Sequence, residues 1–373
     1  MDFEAGICME EAVSAFDFGG EVLDAPRYGE GHINDTFALT AKQPGGGTRR
    51  FILQRVNTTV FHNPEALMDS IMAVTQHLRA AIVKNGGDPD RETLTVLPTK
   101  AGKSLYRTAD GGAWRAYLFV EDAVSFQRAE TPELFHQSAR AFGNFFRLLS
   151  DFPAETLFET IPHFHDTPER YAQFEAALAA DPQGRAAGCA QEIGFVQARK
   201  ADCSVMTDMQ AKGELPLRVT HNDTKLNNVL LDPDTLQPVC VIDLDTVMPG
   251  LLANDYGDSI RFGASTAAED EQDLEKVQFS LPLFQTYTRG YLETAGAAMT
   301  PKEVETLAWG ARLMTLECGM RFLADHLNGD VYFKVHRPNH NLDRCRTQFK
   351  LVVEMEAAFE EMNAVVQREY TAL

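Results

Sequence analysis

The rhythm of apolar and polar positions changes near residue 121. Before it, short alternating runs dominate. Phe37-Ala38-Leu39-Thr40 passes through Gly45-Gly46-Gly47 into Arg50-Phe51-Ile52-Leu53-Gln54-Arg55, the pattern of a hairpin closed by a glycine-rich turn. One helix interrupts the strands. Asn63 offers a side-chain cap and Pro64 suits a first helical turn. Leu67, Ile71, Val74, Leu78 and Ile82 then recur at spacings of three and four until Gly86-Gly87 stops the run. Two further strands are predicted over 93–97 and 114–120, with a turn at Asp110-Gly111 between them.

Beyond Glu121 the pattern is helical. Thr131-Pro132, Thr167-Pro168 and Thr300-Pro301 each read as a threonine cap followed by proline at the first helical position. The helical pattern breaks between 215 and 245. Two short apolar runs, Val229-Leu230-Leu231 and Val239-Cys240-Val241-Ile242, flank the turn signal Asp232-Pro233-Asp234-Thr235 and predict a small hairpin. No repeat or linker separates the halves, so the expected organisation is an N-terminal lobe over 1–121 and a C-terminal lobe over 122–373, joined by a hinge.

Composition narrows the function class. Hydrophobic residues make up 44% and charged residues 24%, as in an ordinary globular protein. The excess of 54 acidic over 34 basic residues gives a formal charge of −20, a field that repels nucleic acid and anionic membrane surfaces. No apolar stretch reaches the ~20 residues of a membrane span. Met1-Asp2-Phe3-Glu4 lacks the basic start of a secretory signal, so a cytoplasmic enzyme is expected, its oligomeric state not inferable. The six cysteines show no CxxC pairing, which argues against zinc and disulfide roles.

The chemistry concentrates in His221-Asn222-Asp223-Thr224-Lys225-Leu226-Asn227-Asn228 and, beyond the hairpin, Val241-Ile242-Asp243-Leu244-Asp245. Phosphoryl transfer from ATP to an alcohol needs a carboxylate to accept the hydroxyl proton and oxygen ligands to hold magnesium against the phosphates. The spacing H-x-D-x-x-x-x-N suggests Asp223 as the base and Asn228 as a magnesium ligand, and the hairpin would return Asp243 as a second ligand. The plainer alternative is that Asp223 and Asn228 only order a turn.

These residues resemble the catalytic core of the aminoglycoside phosphotransferase-like superfamily, whose architecture is that of the protein kinases. Further stretches are similar to the N-acetylhexosamine 1-kinases within it: 31–37, 51–57, 241–262 (VIDLDTVMPGLLANDYGDSIRF) and Cys318-Gly319-Met320-Arg321-Phe322-Leu323. The resemblance implies an α+β, protein-kinase-like bilobal fold, with an antiparallel N-terminal sheet plus one helix and a larger, mainly helical C-terminal lobe. It implies a kinase that uses Mg²⁺ and ATP to phosphorylate the C1 hydroxyl of a small-molecule sugar, N-acetylglucosamine or N-acetylgalactosamine.

On the nucleotide side the resemblance implies a phosphate-covering turn with Gly29, Gly31, His32 and Asn34, and a hinge strand around Phe119 facing adenine. A surface turn and a core strand fit the same residues. Gln54 stands where relatives carry a phosphate-binding lysine, and Glu65 or Asp69 are the candidate acids on the following helix. On the acceptor side it implies Arg321 and Tyr332 as polar contacts and Phe262 as an apolar wall, with Asp245 near the metal or a sugar hydroxyl; structural roles compete at each. His221, Asp255 and Asp258 are expected to brace the catalytic loop. A homoserine, choline, ethanolamine or aminoglycoside acceptor remains open, with Glu317 and Trp309 as a possible cage for a cation. So does an inactive nucleotide-binding module, whose only support is the missing lysine.

Overall fold

The computed structural model describes residues 9–29 and 33–373. The first stretch of chain forms α1 (Met9–Ala15), β1 (Glu21–Asp24), β2 (Asp35–Lys42), β3 (Thr48–Val56), α2 (Pro64–Lys84), α3 (Pro89–Glu92), β4 (Val96–Leu97), β5 (Tyr106–Arg107) and β6 (Ala113–Leu118). Helices α4 (Pro132–Leu148), α5 (Thr167–Ala180), α6 (Ala190–Gln197) and α7 (Val205–Ala211) follow, then β7 (Arg218–Thr220), β8 (Val229–Leu231), β9 (Pro238–Val241) and β10 (Met248–Gly250). The remainder is helical: α8 (Leu252–Gly263), α9 (Leu281–Ala295), α10 (Pro301–Glu305), α11 (Leu307–Asn328), α12 (His340–Ala357) and α13 (Phe359–Thr371). Among the described residues no helix is long and apolar enough to cross a membrane.

The chain divides into two compact units. The first takes in the chain up to Val124 together with Thr156–Ile161 and Leu230–Met248; the second comprises Ser125–Glu155, Pro162–Val229 and Pro249–Leu373. The fold is α+β, with an antiparallel N-terminal sheet and a larger helical C-terminal part.

In the first unit the sheet runs β1-β2-β3-β6-β4, with β5 also on β6. Strand alternation separates its faces. Phe37, Leu39, Phe51, Leu53, Trp114 and Ala116 join Phe16 and Phe18 in one apolar cluster. The intervening positions Thr36, Gln54 and Arg115 fall in one cross-strand row, because Thr36 pairs with Gln54 and Gln54 with Arg115. The β2–β3 turn uses Gly46 and Gly47 at φ +91° and +78°, a region that side chains disfavour. Helix α2 starts where expected, with Asn63 accepting a hydrogen bond from Ala66 N. The strand expected over 93–97 shrinks to Val96–Leu97, and the extra helix α3, capped by Asp88 with Pro89 in its first turn, precedes it.

The second unit is built on helix seams. Tyr171, Phe174, Leu316, Met320, Phe349 and Val352 share a core between α5, α11 and α12. Between α8 and α11, the backbone of Gly257 approaches the carbonyl of Gly310 so closely that a methyl group would collide with it. Thr131 and Thr300 cap their helices, the latter in a reciprocal capping box with Glu303. At the third site the cap is Asp166, which accepts from Glu169 N, and Thr167 takes the first helical position.

Candidate functional site

The loop after β7 is held by one face of α8. Asp255 accepts the backbone N–H groups of His221 and Asn222, each at 2.7 Å. One turn later Asp258 accepts Thr224 N at 3.1 Å, and its other oxygen takes two bonds from Arg261. Thr224 donates its hydroxyl to the Asp255 carbonyl at 2.6 Å, and Ser259 donates to the Thr224 carbonyl at 2.8 Å. His221 is fully buried, with the rings of Phe142 and Phe145 edge-on at 5.5 and 5.9 Å. Burial pushes the Asp255 carboxyl up to about 6 against the opposing pull of His221 and the two N–H donors. For Asp258 burial acts in the same direction, but Arg261 and Lys225 outweigh it and hold the carboxyl below its ordinary value. The three residues expected to brace this loop are the ones that pin or fill beneath it.

Asp223 projects from the pinned loop with its side chain about one-third exposed, at 32%. Its Oδ1 lies 2.8 Å from Lys225 Nζ. Its Oδ2 and its backbone carbonyl both accept from Asn228 Nδ2, at 3.0 and 2.9 Å. The carboxylate is therefore oriented from two sides. Asn228 is buried, and commitment of its amide nitrogen turns Oδ1 the other way. Lys225 escaped the sequence reading although its position signalled it: two residues along extended backbone, a side chain returns to the same side. Burial lowers the proton affinity of Lys225, but Asp223 and Asp258 outweigh it, so its pKa is raised.

In the first unit the chain leaves β9 at Val241, and Asp243 adopts left-handed backbone, φ +61° and ψ +61°, before a helical turn over Leu244–Thr246. A continuing strand would have put Asp245 on the same face as Asp243. Instead the turn carries Asp245 into the interior, while Asp243 stays exposed. Asp245 Oδ1 meets Arg115 Nη1 at 2.5 Å, and its Oδ2 accepts from Asn34 Nδ2 at 2.6 Å. Both oxygens are thus engaged at 2% residue exposure, so the expected sugar contact at Asp245 gives way to a buried ion pair.

Arg115 is the second residue the sequence reading missed. Its Nε donates to Gln54 Oε1 at 3.0 Å, and Gln54 Nε2 donates to Thr36 Oγ1 at 2.9 Å. The charge that glutamine does not supply stands one strand over. Burial opposes ionisation of Arg115, yet Asp245, with Asp243 adding to it, raises its pKa. A lone arginine inside Ala113-Trp114-Arg115-Ala116-Tyr117 was the available signal.

The other nucleotide-side residues lie in the same unit. Asn34 accepts Asn57 N at 2.9 Å as well as donating to Asp245, so it ties the turn to the interior. Gly29 has φ +77° and open space around it. Gly31 and His32 lie outside the described residues. The Phe119 ring is half-buried, edge-on to Tyr28 at 5.5 Å and 3.9 Å below the Arg50 guanidinium. Glu65 pairs with Arg107 at 2.8 Å, and Asp69 is exposed.

The acceptor-side residues fall into two groups within the second unit. Arg321 lies over Phe164 and Phe333 at 5.1 and 5.6 Å, and Tyr332 stands edge-on to Phe333 at 4.8 Å while remaining 65% exposed. Phe262 instead lines a cavity of about 440 Å³ that reaches neither Arg321 nor Tyr332. Glu317 is buried, accepting from Thr167 at 2.6 Å and meeting His165 at 2.7 Å, and Trp309 packs against Arg312 and Phe359. Both residues offered as a cage for a cationic acceptor therefore have partners within the second unit.

With this geometry in view, residues 24–292 match the model of the phosphotransferase enzyme family, APH. The chain belongs to that family. Solved phosphotransferases of low identity share the fold. An aminoglycoside phosphotransferase from Alicyclobacillus acidocaldarius is 16% identical with a TM-score of 0.60, over 100% of this chain and 98% of that one. The amicoumacin kinase hAmiN, in complex with AMP-PNP, Ca²⁺ and Ami, is 11% identical with a TM-score of 0.57, covering 95% and 94%. A choline kinase from Cryptosporidium parvum is 12% identical with a TM-score of 0.53, covering 91% and 90%. Among the described residues of this phosphotransferase, no three His, Cys, Asp or Glu side chains form a ready metal cluster. Magnesium does not require one, since one or two protein oxygens suffice when phosphates complete the shell. The Oδ1 of Asn228 and the exposed carboxylate of Asp243 are hard oxygen donors of that kind.

Proposed function

We propose that this phosphotransferase moves the γ-phosphoryl group of ATP to the anomeric hydroxyl of an N-acetylhexosamine, giving the sugar 1-phosphate, ADP and a proton. The observation that carries the reading is the Asp223 carboxylate, held between Lys225 and Asn228 on a loop pinned by α8. Asp223 accepts the hydroxyl proton as the sugar oxygen attacks phosphorus. Lys225 and Asn228 keep the carboxylate aimed, which saves the reaction the cost of ordering it. Asn228 and Asp243 are the residues that would hold Mg²⁺, which when bound offsets the charge of the phosphates. Gly29 and Asn34 belong to the turn over the phosphates, and Phe119 lies against adenine. Arg321, Tyr332 and Phe262 meet the sugar. The choice of acceptor rests on the stretches over 31–37, 51–57 and 241–262 that are similar to N-acetylhexosamine 1-kinases.

An ADP-release assay over a panel of acceptors tests this. N-acetylglucosamine and N-acetylgalactosamine should turn over and yield an acid-labile phosphate; turnover of choline, ethanolamine, homoserine or an aminoglycoside alone would reject the sugar reading. Asp223→Asn should keep the fold and nucleotide binding while losing at least ~100-fold in turnover. Undiminished turnover in that variant would remove Asp223 from the mechanism.

A further inference from the structure

The segment after α11 is exposed, yet one carboxylate holds it from beneath. Asp325, in the last turn of α11 and 5% exposed, accepts the backbone N–H groups of three consecutive residues. Val331 and Tyr332 donate to Oδ1 at 2.9 and 2.8 Å, and Phe333 donates to Oδ2 at 2.9 Å. Asn341 Nδ2 adds a fourth bond at 2.8 Å and ties the same point to Asp330 Oδ1 at 2.9 Å. Exposed loops ordinarily leave such N–H groups to water, so three turned inward onto a buried carboxylate fix the course of the backbone. Neighbouring rings are separated as a result. Phe333 folds down against Phe322 at 4.6 Å and beneath the Arg321 guanidinium, while Val331 and Tyr332 stay outside at 77% and 65% exposure.

The surroundings of these rings connect them to the catalytic loop. Arg321 lies over Phe164 and Phe333 and, among the described residues, makes no hydrogen bond or ion pair. Arg321, Glu317 and Tyr332 are all within electrostatic reach of Arg170, so the four form one cluster. His165, 2.7 Å from Glu317, in turn acts on Asp255 and Asp258, the carboxylates that pin the loop carrying Asp223. We propose that Asp325 is a positioning residue for the acceptor. By fixing residues 331–333 it sets the Tyr332 ring and the Arg321 guanidinium as one platform, the ring for an apolar sugar face and the N–H groups for sugar oxygens. This rests on the N-acetylhexosamine reading above. A pyranose offers both kinds of surface side by side. An ammonium acceptor would instead be repelled by Arg321 and Arg170 together. A loop without the Asp325 anchor would have to be ordered by each incoming sugar, and that cost falls on acceptor binding. The chemical step is spared, because the Asp223 loop takes its bracing from α8.

The test has two arms. Asp325→Asn keeps the shape but turns an N–H group toward the loop's own donors. The KM for N-acetylglucosamine should rise at least ~10-fold, with kcat and the KM for ATP within ~3-fold of the parent. The second arm uses the unaltered enzyme and does not depend on the variant folding. Backbone amide exchange at Val331, Tyr332 and Phe333 is followed in Mg²⁺ and AMP-PNP, with and without saturating N-acetylglucosamine. Exchange should be slow despite the exposure of the loop, and the sugar should slow it at least ~5-fold more. A variant that loses kcat while its sugar KM stays unchanged assigns Asp325 a structural role alone and overturns the proposal. Exchange unmoved by a sugar that does turn over overturns it as well, and either result leaves the kinase reading intact. No turnover of any N-acetylhexosamine by the unaltered enzyme rejects that reading, and this inference with it.

Discussion

Replacing Arg115 with methionine should destabilise the first unit far more than a surface change would. Arg115 and Asp245 are 1% and 2% exposed and 2.5 Å apart. At an effective dielectric of about 20, their attraction is about 7 kcal/mol, set against several kcal/mol of lost hydration for each ion. The pair together is close to neutral for stability. Arg115→Met removes the attraction but leaves Asp245 buried and charged, and it strips Gln54 of the donor to its Oε1. The expected loss is about 3–5 kcal/mol, a large part of the roughly 5–15 kcal/mol that holds a folded protein. Trp114 is fully buried beside Arg115 and gives a local signal. In a Trp309→Phe background, urea unfolding followed by Trp114 fluorescence should show the midpoint falling sharply. Adding Asp245→Leu should recover all but about 1–3 kcal/mol, the residue reflecting the donor of Asn34 left unmatched. The reasoning is refuted if Arg115→Met lies within about 1 kcal/mol of the parent, or if the double variant is no better than the single one.

Two further outcomes follow from the loop and the helix beneath it. Asp255 has its carboxyl raised by burial to about 6, so it binds a proton more tightly folded than unfolded. Its contribution to stability is fully present below about 4 and is lost as pH rises through 6. Activity should move the opposite way, because only the ionised group accepts both N–H bonds: kcat should drop as pH falls through about 6, and an acid limb unchanged in Asp255→Asn would assign that titration elsewhere. Gly257→Ala should cost about 1–3 kcal/mol by forcing α8 from α11. Urea unfolding followed by Trp309, next in the chain to Gly310, measures it, and wild-type stability would show that the seam has slack.

Local chemistry made much of this legible from the sequence. The cap at Asn63, the capping box at Thr300 and the hairpin around 232–235 depend on residues close in the chain, and each formed where its signal lies. The cap at 166 was misplaced by one position because Asp166 and Thr167 both carry a suitable oxygen, and the aspartate reaches Glu169 N. The H-x-D-x-x-x-x-N spacing pointed to Asp223 and Asn228 as a pair, and the two side chains are hydrogen-bonded to one another. Arg115 was not legible in this way. Its partner is 130 positions further along the chain, and strand alternation cannot separate an arginine buried in an ion pair from one at a sheet edge. The inward turn of Asp245 depended on the left-handed backbone at Asp243, which an apolar run ending in aspartate does not announce.

The anchoring of the loop on α8 has a consequence for how the sequence can change over time. Asp255 and Asp258, which hold the loop, share α8 with Gly257, which packs against Gly310, so a shift of this helix is passed on to the backbone that carries Asp223. Positions along α8 that touch no small molecule are therefore constrained through the loop they support.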